Sequence, residues 1–190
     1  MARKKHALLI GIDSYPHLFE KDLHGTYNDV VSLYGLLREV YGFKQTDITA
    51  YLDVDGTSPT RQLMLAAFEA LCARVERDDI VVVAYSGHGS RRAVSGGGFV
   101  ESLVPQDSGR PSPDGDGAPN RDIYDFELAP YLEALRRQTP WLTVIFDCCH
   151  AGSVFRDPFV RGVRNISADP RPLPSAPRSA DAGRALIRPG

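Results

Sequence analysis

Asp79-Ile80-Val81-Val82-Val83-Ala84-Tyr85, running straight into Ser86-Gly87-His88-Gly89, is the stretch that decides the architecture. Its apolar side chains fall on both parities, so a strand there is apolar on both faces, as in a parallel sheet covered on each side. Residues 6–12 (His-Ala-Leu-Leu-Ile-Gly-Ile) and 141–146 (Trp-Leu-Thr-Val-Ile-Phe) read the same way, and Asp47–Leu52 reads as a further short strand. Between them, Val30, Leu33, Tyr34, Leu37 and Val40 recur at helical spacing, as do Leu63, Met64, Ala67, Leu71 and Val75. A third amphipathic helix spans 125–138, stopped before Pro140, which disfavours helical backbone in the residue preceding it. Strands alternating with helices predict an α/β sandwich with right-handed crossovers.

The chain has 190 residues, 43% hydrophobic and 24% charged, which suits one globular unit. Twenty-two Lys and Arg against 24 Asp and Glu give a net charge of −2. No whole-chain field exists to attract nucleic acid or an anionic membrane, so neither is expected as a partner. No apolar run approaches the roughly 18 residues of a membrane helix, and the apolar stretch after Met1-Ala-Arg-Lys-Lys-His is too short for a signal peptide. Three cysteines, Cys72, Cys148 and Cys149, make an odd count that argues against a disulfide framework. The expected location is therefore the reducing cytoplasm.

Two stretches interrupt the pattern. Residues 106–122, rich in Gly, Pro, Ser and charge, read as a long surface loop. Residues 156–190 carry seven arginines and six prolines, a density that sustains neither a helix nor an interior strand. The expected organisation is a domain over 1–155 and a linker or tail over 156–190.

In open parallel sheets, chemistry collects at the carboxyl ends of strands. One such end opens into Tyr85-Ser86-Gly87-His88-Gly89, another into Asp147-Cys148-Cys149-His150-Ala151-Gly152. An imidazole between two glycines has no neighbouring side chain to screen it, so His88 is expected to be accessible. If the two strands lie side by side, roughly 5 Å apart, or one strand further apart, thiol and imidazole face one another. Histidine then raises the thiolate fraction and returns a proton to the leaving amine. Alternation sends Cys148 and Cys149 to opposite sides, so one of them alone points to His88, and Cys149 is nearer the small-residue turn. Cys72 and Cys148 are expected as core residues, and His150 as a structural or rim residue. Zinc is poorly supported, since there is no Cys-x-x-Cys pair. A phosphatase loop would need five residues between cysteine and arginine, and six separate Cys149 from Arg156. No phosphate-binding glycine loop follows the first strand.

Taken in order, the Ala-Leu-Leu-Ile-Gly-Ile start, Asn28-Asp29, Tyr85-Ser86-Gly87-His88-Gly89, Glu101-Ser102-Leu103-Val104-Pro105-Gln106-Asp107, Ile123-Tyr124-Asp125-Phe126-Glu127-Leu128 and Asp147-Cys148-Cys149-His150-Ala151-Gly152 resemble the caspase-like cysteine peptidases, most of all the metacaspase and bacterial orthocaspase branch. The resemblance covers about residues 5–155 and implies a three-layer αβα sandwich. It implies a cysteine endopeptidase with His88 as base and Cys149 as nucleophile, the oxyanion being held by backbone N–H groups near Gly89 and Cys149. It further implies a pocket of Asp29, Ser86 and Asp147 that takes Arg or Lys before the cut. For Asp29 the alternative role is favourable placement in the first turn of its helix.

Calcium, which activates metacaspases, is the weakest implication. Asp125 matches a ligand position, but Phe126 stands where the adjacent one is usually acidic. Asp114, Asp116, Asp122 and Asp125 fail as an EF-hand, with Pro119 at the invariant glycine. The expectation is no cofactor, with calcium as the alternative. The resembled fold has six main strands, of which four are found, so the chain is expected to be a large-subunit portion, completed by a second chain or a C-terminal segment. Arg161, Arg164, Arg178, Arg184 and Arg188 are candidate self-processing sites. The rivals are a catalytically silent signalling or scaffold protein on this fold, and a small α/β hydrolase or phosphotransfer module.

Overall fold

The computed structural model describes residues 3–18, 21–54, 56–95, 97–111 and 117–148. Four strands, β1 (Lys5–Gly11), β2 (Ile48–Leu52), β3 (Ile80–Ser86) and, last in the chain, β7 (Leu142–Asp147), form a parallel sheet in the order β2-β1-β3-β7. Three helices connect them: α1 (Thr26–Glu39), α2 (Arg61–Arg74) and α3 (Asp125–Gln138). The chain moves outward from β1 to β2, then returns past β1 to β3 and on to β7. Right-handed crossovers in opposite directions place their helices on opposite faces. Accordingly α1 covers one face, where Val30 and Leu37 pack on Ala7, Leu9, Val82 and Ala84. Helices α2 and α3 cover the other, where Met64, Phe68, Leu71, Leu128 and Leu132 meet Leu8, Ile10, Val81, Val83 and Phe146. Each such fully buried aliphatic or aromatic side chain contributes about 1.5–3 kcal/mol. This is the three-layer αβα sandwich expected from the sequence.

The helix starts are fixed locally. Asp13 Oδ1 accepts from the N–H groups of Gly25 and Thr26, both at 3.1 Å, and so caps α1 in place of a side chain that Gly25 lacks. Thr60 Oγ1 accepts from Leu63 N–H at 3.3 Å, and Asp107 Oδ1 accepts from Arg61 N–H at 2.8 Å, which together cap α2.

Two sequence expectations need correction. No strand was expected between residues 87 and 124, yet β4 (Gly89–Ala93), β5 (Phe99–Leu103) and β6 (Ile123–Tyr124) form a small antiparallel sheet in that order. Its hairpin turns through Gly97 and Gly98, both in the left-handed region that glycine tolerates. Nor do residues 106–122 simply lie on the surface, since Ser108 and Asp122 are buried. Among the described residues β7 is the outer strand of the parallel sheet, and its Ile145 is 42% exposed.

Candidate active site

Strands β3 and β7 end in register, Ser86 beside Asp147, and β1 ends on the other side of β3 with Gly11 beside Ser86. A Cβ at Gly11 would lie 2.8 Å from Leu52 Cδ2 and 3.0 Å from Val30 Cγ2, so glycine is what lets α1 cross close over this end of the sheet. That approach brings Asp29, in the first turn of α1, onto β3, where Ser86 Oγ donates to Asp29 Oδ2 at 2.8 Å. Asp29, Ser86 and Asp147 line one cleft of about 320 Å³, whose other walls include Val30, Leu33, Ala84 and Ile145. The three residues expected to form a pocket are thus brought together. Apolar walls combined with two carboxylates can take the stem and head of a long cationic side chain.

His88 lies just past this end of β3, and it is buried, at 3% exposed. The accessible imidazole expected from two flanking glycines is therefore corrected: missing neighbours in sequence are replaced by neighbours in space. The Tyr15 ring packs on the imidazole with centroids 4.7 Å apart, and Nε2 lies 2.6 Å from the carbonyl oxygen of Lys21. A carbonyl only accepts, so Nε2 carries the proton and Nδ1 is the basic nitrogen. Gly87 has no room for a side chain, since a Cβ there would meet Tyr85 Oη at 2.6 Å and Tyr15 Oη at 2.7 Å. Gly89 opens β4, paired with Leu103, and is buried.

Leu142, Val144, Phe146 and Cys148 alternate onto the α2/α3 face, and Cys148 ends as a core residue, 2% exposed. A core place for Cys148 is what the sequence leads us to expect. Cys72 is half-buried, its thiol donating to the Tyr131 carbonyl at 3.5 Å, and burial pushes that thiol up to about 11. Cys149 and His150, with the tail over 156–190 and its arginines, lie outside the described residues.

Of the four aspartates considered for calcium, Asp122 and Asp125 lie among the described residues. Asp122 faces inward: Arg110 grips it in a two-pronged ion pair, Nη1 to Oδ1 and Nη2 to Oδ2, both at 3.1 Å. Ser108 Oγ donates to Oδ1 at 2.6 Å and Ser102 Oγ to Oδ2 at 3.2 Å. A guanidinium thus already neutralises this carboxylate. Asp125 Oδ1 accepts from Phe126 N–H at 2.6 Å, and Asp114 and Asp116 lie outside the described residues. Among the described residues no three His, Cys, Asp or Glu side chains converge as metal ligands, and no helix is long and apolar enough to cross a membrane.

Sequence reasoning missed Tyr15, Lys21 and the role of Tyr85. A usable signal existed for Tyr85: it closes a strand on the core-facing parity, and a buried phenol needs a partner.

Comparison with known proteins agrees with this architecture. The crystal structure of a protein from Geobacter sulfurreducens aligns with a TM-score of 0.56 at 21% identity, covering 80% of this chain and 52% of that one, which shows the fold alone. Metacaspase III c of Phaeodactylum tricornutum is 33% identical over 163 residues, covering 82% of this chain and 45% of that protein. Metacaspase-4 of Arabidopsis thaliana is 35% identical over 157 residues, covering 79% of this chain and 34% of that protein. The chain spans less than half the length of these curated relatives. A family model described as the metacaspase peptidase C14 domain matches residues 5–158, which take in every strand and helix described above, and on that match the chain belongs to the metacaspase family.

Proposed function

We propose that this chain is the large-subunit portion of a cysteine endopeptidase that cuts proteins after Arg or Lys. The observation that carries the reading is the cleft joining Asp29, Ser86 and Asp147 at the strand ends beside His88. A guanidinium or ammonium entering it meets two carboxylates in partly dry surroundings, where charge-assisted hydrogen bonds are strong. A substrate Asp would meet like charge there, which costs several kcal/mol.

The chemistry follows from the base. His88 Nδ1 takes the Cys149 thiol proton, and the sulfur attacks the carbonyl carbon that follows the basic side chain. The carbonyl π electrons move to oxygen, and backbone N–H groups near Gly89 and Cys149 stabilise that oxyanion, each worth roughly 3 kcal/mol in the transition state. Collapse expels the amine, which takes the proton from His88, and leaves a thioester. Water, deprotonated by His88, then attacks the thioester and releases the acid and the thiol.

Two further strands, from a C-terminal segment or a second chain, would complete the sheet beyond β7, whose outer backbone groups would otherwise stay unpaired. The arginine-rich 156–190 segment would be a substrate for self-processing. A reducing cytoplasmic setting keeps Cys149 a thiol, and no cofactor is required.

Incubation with short fluorogenic peptides ending in Arg, Lys or Asp tests this reading. Release from the basic peptides alone supports it. Release from the Asp peptide sinks the pocket assignment, and no release from any, even with a strand-supplying partner present, favours a silent scaffold.

A further inference from the structure

We propose that Tyr15 and Tyr85 are positioning residues for His88, gripping its backbone N–H and carbonyl so that the buried core, and not the loop, sets the imidazole. The inference rests on His88 acting as the base. Two flanking glycines leave this part of the backbone permissive, so an external hold is needed to fix the ring. The hold takes both backbone polar groups of His88. The His88 N–H donates to Tyr15 Oη at 2.8 Å, and Tyr85 Oη donates to the His88 carbonyl at 2.8 Å and to the Val104 carbonyl at 3.0 Å. The two phenol oxygens are 3.5 Å apart. Tyr85 uses its proton on these carbonyls, so in that contact Tyr15 is the donor. Donation then runs from His88 N–H through Tyr15 and Tyr85 back to the His88 carbonyl, a closed circuit whose members polarise one another.

Both phenols are 1% exposed, and Tyr15 also supplies the ring that packs against the imidazole at an interplanar angle of 50°. Burial, first among the causes, raises both tyrosines above their ordinary range, so each stays a neutral donor and acceptor through the working pH. Phenylalanine would keep the ring packing and remove the grip. The two positions are not equivalent. The His88 carbonyl retains a second donor, Val104 N–H at 3.0 Å, when Tyr85 loses its hydroxyl. The His88 N–H has Tyr15 Oη as its hydrogen-bond acceptor.

The test compares Tyr15→Phe, Tyr85→Phe and His88→Ala in the full chain. Tyr15→Phe is expected to lower kcat for an Arg peptide about 10- to 100-fold, the scale of a misplacement of about 1 Å, with KM within about two-fold. Amide exchange at His88 should speed up about ten-fold or more, and Tyr85→Phe should show smaller changes of the same kind. Without turnover, the pH dependence of Cys149 alkylation reads the same effect: Tyr15→Phe should displace an inflection that His88→Ala abolishes. If His88→Ala retains hydrolysis and the inflection, the base assignment fails. If His88→Ala is inactive while Tyr15→Phe stays folded with wild-type kcat, His88 exchange and alkylation profile, the grip is overturned and the base assignment stands.

Discussion

Ser86 Oγ donates to Asp29 Oδ2 at 2.8 Å, tying the end of β3 to the first turn of α1 at the cleft wall. The bond orients one carboxylate oxygen and leaves the charge of Asp29 in the cleft. Asp29→Asn keeps the shape and removes the charge. It is expected to lower kcat/KM for Arg peptides by roughly 10- to 150-fold, the equivalent of about 1.5–3 kcal/mol for a hydrogen bond to a charged group. Asp147→Ala should raise KM and lower kcat together. Steady-state kinetics on one Arg peptide check both, and an Asp29→Asn enzyme with unchanged kcat/KM would remove Asp29 from the pocket.

Cys148 sits in the core against the α2/α3 face, and strand alternation in the sequence predicts that Cys149 points the other way. Cys149→Ala is expected to abolish peptide hydrolysis and labelling by thiol-directed inhibitors, and Cys148→Ala to preserve most of both. Peptide mass mapping after labelling identifies the modified sulfur. A label on Cys148 would show the register to be off by one. His88→Ala should slow hydrolysis by at least about 10²-fold, as is usual on losing an acid–base group.

Gly87 and Gly35 should respond to alanine with opposite signs. At Gly87 the new Cβ meets two buried phenol oxygens at 2.6 and 2.7 Å, and neither ring can retreat through the core. A loss of about 1–3 kcal/mol is expected, with lower activity from the displaced His88. Gly35 lies within α1 with open space around it, so alanine there should stabilise by about 0.5–1 kcal/mol. Urea denaturation of the two variants decides the matter.

The Arg110–Asp122 pair should be the strongest staple of the 106–122 segment. Asp122 is nearly inaccessible, and Arg110 Nη2 also donates to Ser90 Oγ at 3.1 Å, linking the segment to β4 directly after His88-Gly89. Arg110→Ala leaves a buried carboxylate uncompensated and is expected to cost about 3–5 kcal/mol. Thermal unfolding would show it, and added calcium should not restore the loss. Recovery with calcium would mean that Asp122 is a metal ligand after all.

At the far end of the sheet, Asp79 accepts from Lys4 N–H at 3.1 Å, from His6 Nε2 at 3.0 Å and from Glu76 N–H at 2.9 Å. Burial acts to raise its pKa, but these hydrogen bonds outweigh it and hold the carboxyl below its ordinary 3.8. A carboxyl lowered in the folded state stabilises fully above the unfolded value and loses that contribution as pH falls through the folded one. Asp79→Asn should therefore lower the Tm at neutral pH, with the gap from wild type closing below about pH 4. A gap independent of pH would show that the role of Asp79 is one of shape.

How much of this was legible depends on how local the information is. Runs such as Ile80–Ala84 and the helical spacing of Leu63, Met64, Ala67 and Leu71 declare themselves, because burial on both faces or on one stripe demands those patterns. The β4–β5 hairpin does not, because Gly-Ser-Arg-Arg-Ala is nearly without apolar residues and Phe-Val-Glu-Ser-Leu neither alternates nor runs continuously apolar. The glycine run at 96–98 was its readable trace. His88 misled for a related reason: its glycine neighbours say nothing about Tyr15, which lies 73 residues away.

The sequence by itself determined that apolar strands alternate with helices, that Ser86, His88 and Asp147 fall at or just past strand ends, and that Cys148 belongs to the core. Only the tertiary structure decided that β3 and β7 are adjacent, that α1 lies close enough over Gly11 to carry Asp29 to Ser86, and that two distant phenols close on His88. Periodicity reports which face of an element is buried. It carries no information on which element covers that face, and the choice is made by the long-range packing that buries them together.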